Sequence, residues 1–142
     1  MRYLIPILLV LSMLNSSCGI SDPQIGAEQE IRDLIYDVTQ AYNWGDIDAI
    51  MELVHPEFRH EGMYSLQLRQ LWLDRLARFP LLETNVTSVE VNGDYAVAHF
   101  SMLFTSSTES ILSTEPQDNG DLSYFFYDSG KWQIYGDQGW IK

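Results

Sequence analysis

The sequence has little basic charge, one cysteine and no long apolar run. Each shortage excludes something. Only 8 Lys+Arg stand against 20 Asp+Glu, a formal charge of −12. Binding to nucleic acid rests on Lys and Arg at the phosphates, so this balance argues against a nucleic-acid partner. The single cysteine, Cys18, cannot close an internal disulfide or build a Cys-rich zinc site. The most apolar stretch, Tyr3 to Leu14, is 12 residues long and contains Pro6. A membrane-spanning helix needs roughly 20 apolar residues. There is no Gly-rich phosphate loop and no Gly-x-Ser-x-Gly elbow. His55, His60 and His99 show no close-spaced ligand motif, so no metal and no cofactor is expected. What is present is 142 residues, 46% of them hydrophobic. That suits one folded domain rather than an acidic disordered chain.

The first residues read as an address. Arg2 supplies a charge, 3–14 an apolar core, and Asn15-Ser16-Ser17 a small polar end. Cys18 follows immediately, and Gly19 after it. The arrangement resembles the lipobox of bacterial lipoproteins, in which the cysteine is lipidated and becomes the mature N-terminus. It departs from that pattern at Asn15, where the family prefers Leu. Plain secretion and an uncleaved anchor are the alternatives. The expected division is a signal peptide at 1–17, a tether at 18–26 and a folded domain at 27–142. The resemblance implies a lipid-anchored protein of the bacterial cell envelope, on the periplasmic side of the outer membrane. Without the signal, 7 basic residues face 20 acidic ones, a charge of −13.

From Ala27 the apolar residues recur at three- and four-residue steps: Ile31, Leu34, Ile35, Val38, Ala41 and Tyr42. That is one face of a helix. Gly45 ends it, and Asp46 caps a second helix carrying Ile47, Ile50, Met51 and Val54. Glu57 to Gly62 reads as a short strand. Ser65 is placed to cap a third helix, Leu66 to Phe79, stopped by Pro80. The period then drops to two. Two strands flank Asn92-Gly93, a type I′ hairpin signal, and two more flank Asp128-Ser129-Gly130. Thr105 to Gly120 is rich in Ser, Thr, Asp and Pro and reads as a long loop. Helices first and a meander afterwards imply α+β, with helices on one face of the sheet. Partial apolarity of the other face suggests a second covered surface, a possible homodimer interface.

The order of motifs resembles the NTF2-like (SnoaL-like) superfamily. Ala41-Tyr42-Asn43-Trp44-Gly45-Asp46-Ile47-Asp48-Ala49-Ile50 and Leu53-Val54-His55-Pro56-Glu57-Phe58 look like its opening. Asn92-Gly93-Asp94-Tyr95-Ala96-Val97 and Gly130-Lys131-Trp132-Gln133-Ile134 look like two of its hairpins. The resemblance covers roughly residues 27–142. It implies a cone, three N-terminal helices packed on a curved, mostly antiparallel sheet, with a pocket at the open end. The family contains isomerases, dehydratases, cyclases and non-enzymatic binding modules, so fold does not settle function.

An isomerase of this family needs a base in its first strand. Alternation places Phe58 and His60 on one face, which makes His60 the inward candidate and Glu61 the outward residue. The plainer reading is a pocket-lining histidine with a structural hydrogen bond. Tyr42 could polarise a substrate with its hydroxyl, or simply pack in the core. Asp137 could orient His60 or act as an acid, or sit at a solvated strand end. Trp72, Phe79 and Trp132 are candidates to line a ligand. Arg75, within the run of Arg59, Arg69, Arg75 and Arg78, is a candidate to hold an anion, with ordinary surface pairing as its rival. The expected function is binding of a small apolar or anionic ligand or a protein partner, without catalysis. The alternative is a pocket enzyme using His60 as base.

Overall fold

The computed structural model describes residues 23–138. The expected signal peptide, Cys18 and most of the expected tether lie outside the described residues. The elements are α1 (Pro23–Asn43), α2 (Ile47–Glu52), α3 (Ser65–Arg78), β1 (Leu81–Asn92), β2 (Tyr95–Thr105), β3 (Ser110–Glu115), β4 (Tyr124–Asp128) and β5 (Lys131–Ile134). Three helices pack on an open antiparallel sheet, as the patterning requires. Among the described residues no helix is long and apolar enough to cross a membrane.

Helix α1 starts at Pro23, inside the expected tether. Proline fits the first turn, where its missing N–H has no intrahelical partner to lose. The face of Ile31, Leu34, Ile35, Val38 and Tyr42 is buried, and α1 lies across β1. Gly45 takes φ +74° to leave the helix. Asp46 caps α2, its carboxylate accepting from the Ala49 N–H at 3.0 Å. The residue that caps α3 is Tyr64 rather than Ser65. The Gln67 side chain reaches back to accept from the Tyr64 N–H at 3.1 Å.

Strand β2 is the hub. It pairs with β1 along its whole length, with β4 through Tyr95 to Val97, and with β3 through Phe100 to Thr105. Strand β5 then pairs with β4. Along β2 the residues Ala96, Ala98, Phe100, Met102 and Phe104 are buried toward the helices, and the alternate residues are partly exposed. The first hairpin turns on Gly93-Asp94, because Asn92 pairs with Tyr95. Only Gly93 has positive φ, so the turn follows the II′ pattern rather than I′. The second turns on Ser129-Gly130, both with positive φ, the I′ pattern.

Two further expectations are corrected. Glu57 to Gly62 is not a strand. It runs as an irregular edge beside β5, where His55 N–H donates to Ile134 O at 2.8 Å and Arg59 N–H to Tyr135 O at 3.1 Å. Pro56 has no N–H to give, and Glu61 (φ 48°) and Gly62 (φ 81°) break the pleat in succession. The chain then doubles back, and His60 and Met63 exchange two backbone hydrogen bonds. Second, Thr105 to Gly120 is not a plain loop, because it contains β3. That strand has only Ser113 and Glu115 buried, so it carries no apolar alternation to announce it.

Candidate functional site

The space between α1, α3 and the sheet is occupied by aromatic rings. Tyr42 meets Trp72 edge-on at 5.6 Å and Phe104 at 5.8 Å, and Phe79 lies 6.2 Å from Phe104. The Tyr42 hydroxyl donates to the Phe79 carbonyl at 2.6 Å. Burial pushes its pKa up to about 12, with Arg75 pulling the other way. That hydroxyl ties α1 to the segment that follows α3.

Asp121 is the buried charge of this interior, and sequence patterning gave no sign of it. It accepts from the Trp72 indole N–H at 3.1 Å and from both Arg75 nitrogens at 2.9 and 3.1 Å. Arg75 also lies 5.0 Å from the Trp72 ring. Asp121 therefore ties Trp72 to Arg75, and the Trp72 and Phe79 rings both pack near Phe104. Arg69 is engaged by Asp48, and Arg78 by Glu109. Arg69, Arg75 and Arg78 of the run are thus each paired with a carboxylate, Arg75 with a buried one. Trp132 is buried on β5, its ring 5.4 Å from Tyr127.

A second buried carboxylate, Glu115 at the end of β3, was equally hidden from the sequence. It accepts from Ser113 Oγ at 2.8 Å, Asn119 Nδ2 at 3.1 Å, Ser123 Oγ at 3.3 Å and the Gly120 N–H. Neutral donors surround it, which is how a buried carboxylate without a cation is tolerated.

His60 lies beside this network and is buried. Its Nε2 meets the Asn119 carbonyl oxygen at 2.5 Å. A carbonyl only accepts, so Nε2 carries the proton. Its Nδ1 lies 3.3 Å from Asp137 Oδ1 and 3.4 Å from the Asp137 N–H. Two glycines allow this approach. A Cβ on Gly136 would stand 2.0 Å from the Arg59 carbonyl oxygen, and one on Gly120 would stand 3.0 Å from the His60 ring. The structure thus brings together two of the sequence candidates, His60 and Asp137, from 77 positions apart. Glu61 joins them: ligand-type atoms of His60, Glu61 and Asp137 lie within 4.8 Å of one another, a set that could hold a cation. The fold makes that set, since spacing in the chain does not.

Asp137 also lines a groove of about 320 Å³. The groove includes Tyr95 and Val97 of β2, Tyr124 of β4, and Tyr135 and Gln138 beyond β5. Ala96 and Phe125 also border it; the side chains of Tyr95, Val97 and Tyr124 alternate with these two buried ones and so stand on the sheet face turned away from the helices. Tyr95 stacks on Phe126 at 4.8 Å, and Phe126 lies 4.8 Å from Tyr135. Desolvation, then Asp137, Glu115 and Glu61, hold the Tyr124 hydroxyl above its ordinary pKa. Desolvation leads for Tyr135 too, followed by Tyr95 and Glu57. Sequence reasoning missed these tyrosines because each is unremarkable alone. Their convergence needs the β2–β4–β5 register.

Solved structures with this architecture decide the fold. One is the protein described as Rd1NTF2_04 with long sheet, at 18% identity and TM-score 0.56, covering 75% of this chain and 95% of that one. Another is an NTF2-like protein of unknown function from Pseudomonas putida KT2440, at 17% identity and TM-score 0.58, covering 79% and 84%. The chain has the NTF2-like fold. An LEH-like epoxide hydrolase of M. tuberculosis shares this fold at 10% identity and TM-score 0.51, covering 77% and 81%. No protein-family model matches the sequence, and no curated protein matches it. Identities this low carry the NTF2-like fold and nothing about activity.

Proposed function

We propose that this chain is an exported, lipid-anchored NTF2-like domain that binds a small ligand without catalysis. One observation carries the reading. The polar groups of the interior are engaged by the protein itself. The Tyr42 hydroxyl, the Trp72 indole, both Asp121 oxygens and the Glu115 carboxylate all have partners within the chain. A catalytic acid or base must instead direct an available proton or lone pair at a substrate. Among the described residues the tyrosine groove offers a place for a ligand, within the size range of small-molecule sites.

The rival reading is a pocket enzyme. It draws on the buried His60, whose Nδ1 lies 3.3 Å from the Asp137 carboxylate. Native mass spectrometry of the purified protein, with identification of whatever co-purifies, separates the two. Recovery of an unchanged ligand, displaced equally from wild type and His60→Gln, supports binding. Conversion of that molecule by wild type and not by His60→Gln would establish the enzyme. Export and anchoring rest on the 12-residue apolar run, Tyr3 to Leu14, followed by Asn15-Ser16-Ser17 and Cys18. Cys18→Ser should release the protein from the membrane fraction, and unchanged fractionation would refute the anchor.

A further inference from the structure

The groove has a chemical bias of its own. Three tyrosines from neighbouring stretches of the sheet line it: Tyr95, Tyr124 and Tyr135. Tyr95 is more than half exposed, with one face already stacked on Phe126. An aromatic ring presents negative charge density at its face and so attracts cations there. Asp137 supplies a formal negative charge on the groove wall. Glu61, Glu57 and Asp128 add their fields at the Tyr124 and Tyr135 hydroxyls, and among the described residues Arg59 opposes them at Tyr135. Arg59 itself lies over the Tyr64 ring, 3.7 Å from its centroid. The other arginines of the run, Arg69, Arg75 and Arg78, are paired with Asp48, Asp121 and Glu109. Rings and carboxylate together fit a positively charged occupant.

We propose that the Tyr95–Tyr124–Tyr135 groove, with Asp137 on its wall, binds a small organic cation of the alkylammonium class. The proposal rests on the ligand-binding reading above and names its ligand class. Alkylation matters physically. A bare ammonium or metal ion is strongly hydrated and resists exchanging water for ring faces. A quaternary ammonium spreads its charge over methyl groups, loses little hydration, and adds apolar contact with the rings. Asp137 then neutralises the charge from the side. The Glu61 N–H, which donates to Asp137 Oδ1 at 3.3 Å, positions that carboxylate.

The test is calorimetric titration with choline and with its uncharged isostere 3,3-dimethyl-1-butanol, at low and high salt. The proteins are wild type, Tyr95→Leu and Asp137→Asn. Choline should bind wild type at least about tenfold more tightly than the isostere, the difference being the charge. Tyr95→Leu and Asp137→Asn should each weaken choline by roughly fivefold, and salt should weaken it further. Because Tyr95 is exposed, its replacement reports on the groove without removing a core group. Equal affinity for the two probes would overturn the cation proposal while leaving a ligand groove intact. Absence of choline binding, or choline binding untouched by both variants, would also overturn it. The co-purification experiment independently decides whether the chain binds a small molecule at all.

Discussion

Replacing Asp121 with Asn keeps the shape of the side chain and removes its charge. In the native protein its two oxygens receive three N–H groups, from Trp72 and Arg75. The asparagine keeps one acceptor oxygen and turns an NH₂ toward donors. Arg75, only 14% exposed, is left with an uncompensated charge. Breaking one partner of a buried pair costs about 3–5 kcal/mol, and the residual solvent contact of Arg75 places this case near about 3 kcal/mol. For a domain of this size that is a fall in Tm of about 12 °C. With a urea m-value of about 1.5 kcal/mol/M, it is a shift in the unfolding midpoint of about 2 M. The assay is urea unfolding of wild type, Asp121→Asn, Arg75→Met and the double variant. If the two side chains act as a unit, the double variant should recover at least about 2 kcal/mol relative to the sum of the singles. A loss below about 1 kcal/mol for Asp121→Asn, with additive energies in the double variant, would refute the reasoning. It would also return Arg75 to the residues that could meet a ligand.

Two further substitutions test the core and the approach to His60. Tyr42→Phe should cost about 1 kcal/mol at neutral pH, because the Phe79 carbonyl loses its hydrogen bond. The Tyr42 pKa is raised from 10.0 to about 12, so its stabilising effect is complete below pH 10 and is lost as pH rises through 10 toward 12. Tyr42→Phe should therefore flatten the alkaline fall in the urea midpoint between pH 10 and about 12, and an unchanged slope would contradict this. Gly136→Ala combines an unfavourable positive φ with a clash against the Arg59 carbonyl. It should destabilise by about 2–4 kcal/mol, read as a thermal-melt shift, and a neutral outcome would mean the 59–60 segment moves aside easily.

The helices and hairpins were legible because their apolar residues keep a period. Ile31, Ile35 and Val38 mark a helix face, and Ala96, Ala98 and Phe100 mark a strand face, whatever the rest of the fold does. Strand β3 was illegible for the opposite reason. Its inward residues are Ser113 and Glu115, and a pattern read in hydrophobicity treats both as exterior. Glu115 and Asp121 are tolerated inside only because Asn119, Gly120, Ser123, Trp72 and Arg75 converge on them. No local rule foretells that convergence. His60 and Asp137 could be named from the chain because each sits where the resemblance or a strand end draws attention. Their separation of 3.3 Å could not, since it depends on Gly136 backing into Arg59. The tyrosine groove needed strand register, which sequence alternation leaves free to slide by two residues.

The irregular edge beside β5 divides the molecule into a durable part and a yielding one. The β1–β2 hairpin is long and local, paired from Leu81 to Asn92 apart from a bulge between Val86 and Ser88. The edge is joined to the end of the sheet by scattered backbone bonds: His55 to Ile134, Ile134 to Leu53, Arg59 to Tyr135 and Gln138 to Arg59. Local opening follows such thinly bonded seams well before global unfolding. The seam runs between His60 on one bank and Asp137 on the other. When it parts, the carboxylate on the groove wall loses its imidazole neighbour while the hairpin stays folded. Amide exchange at Arg59 and Gln138 therefore keeps time for the groove, faster than exchange in β1 and β2.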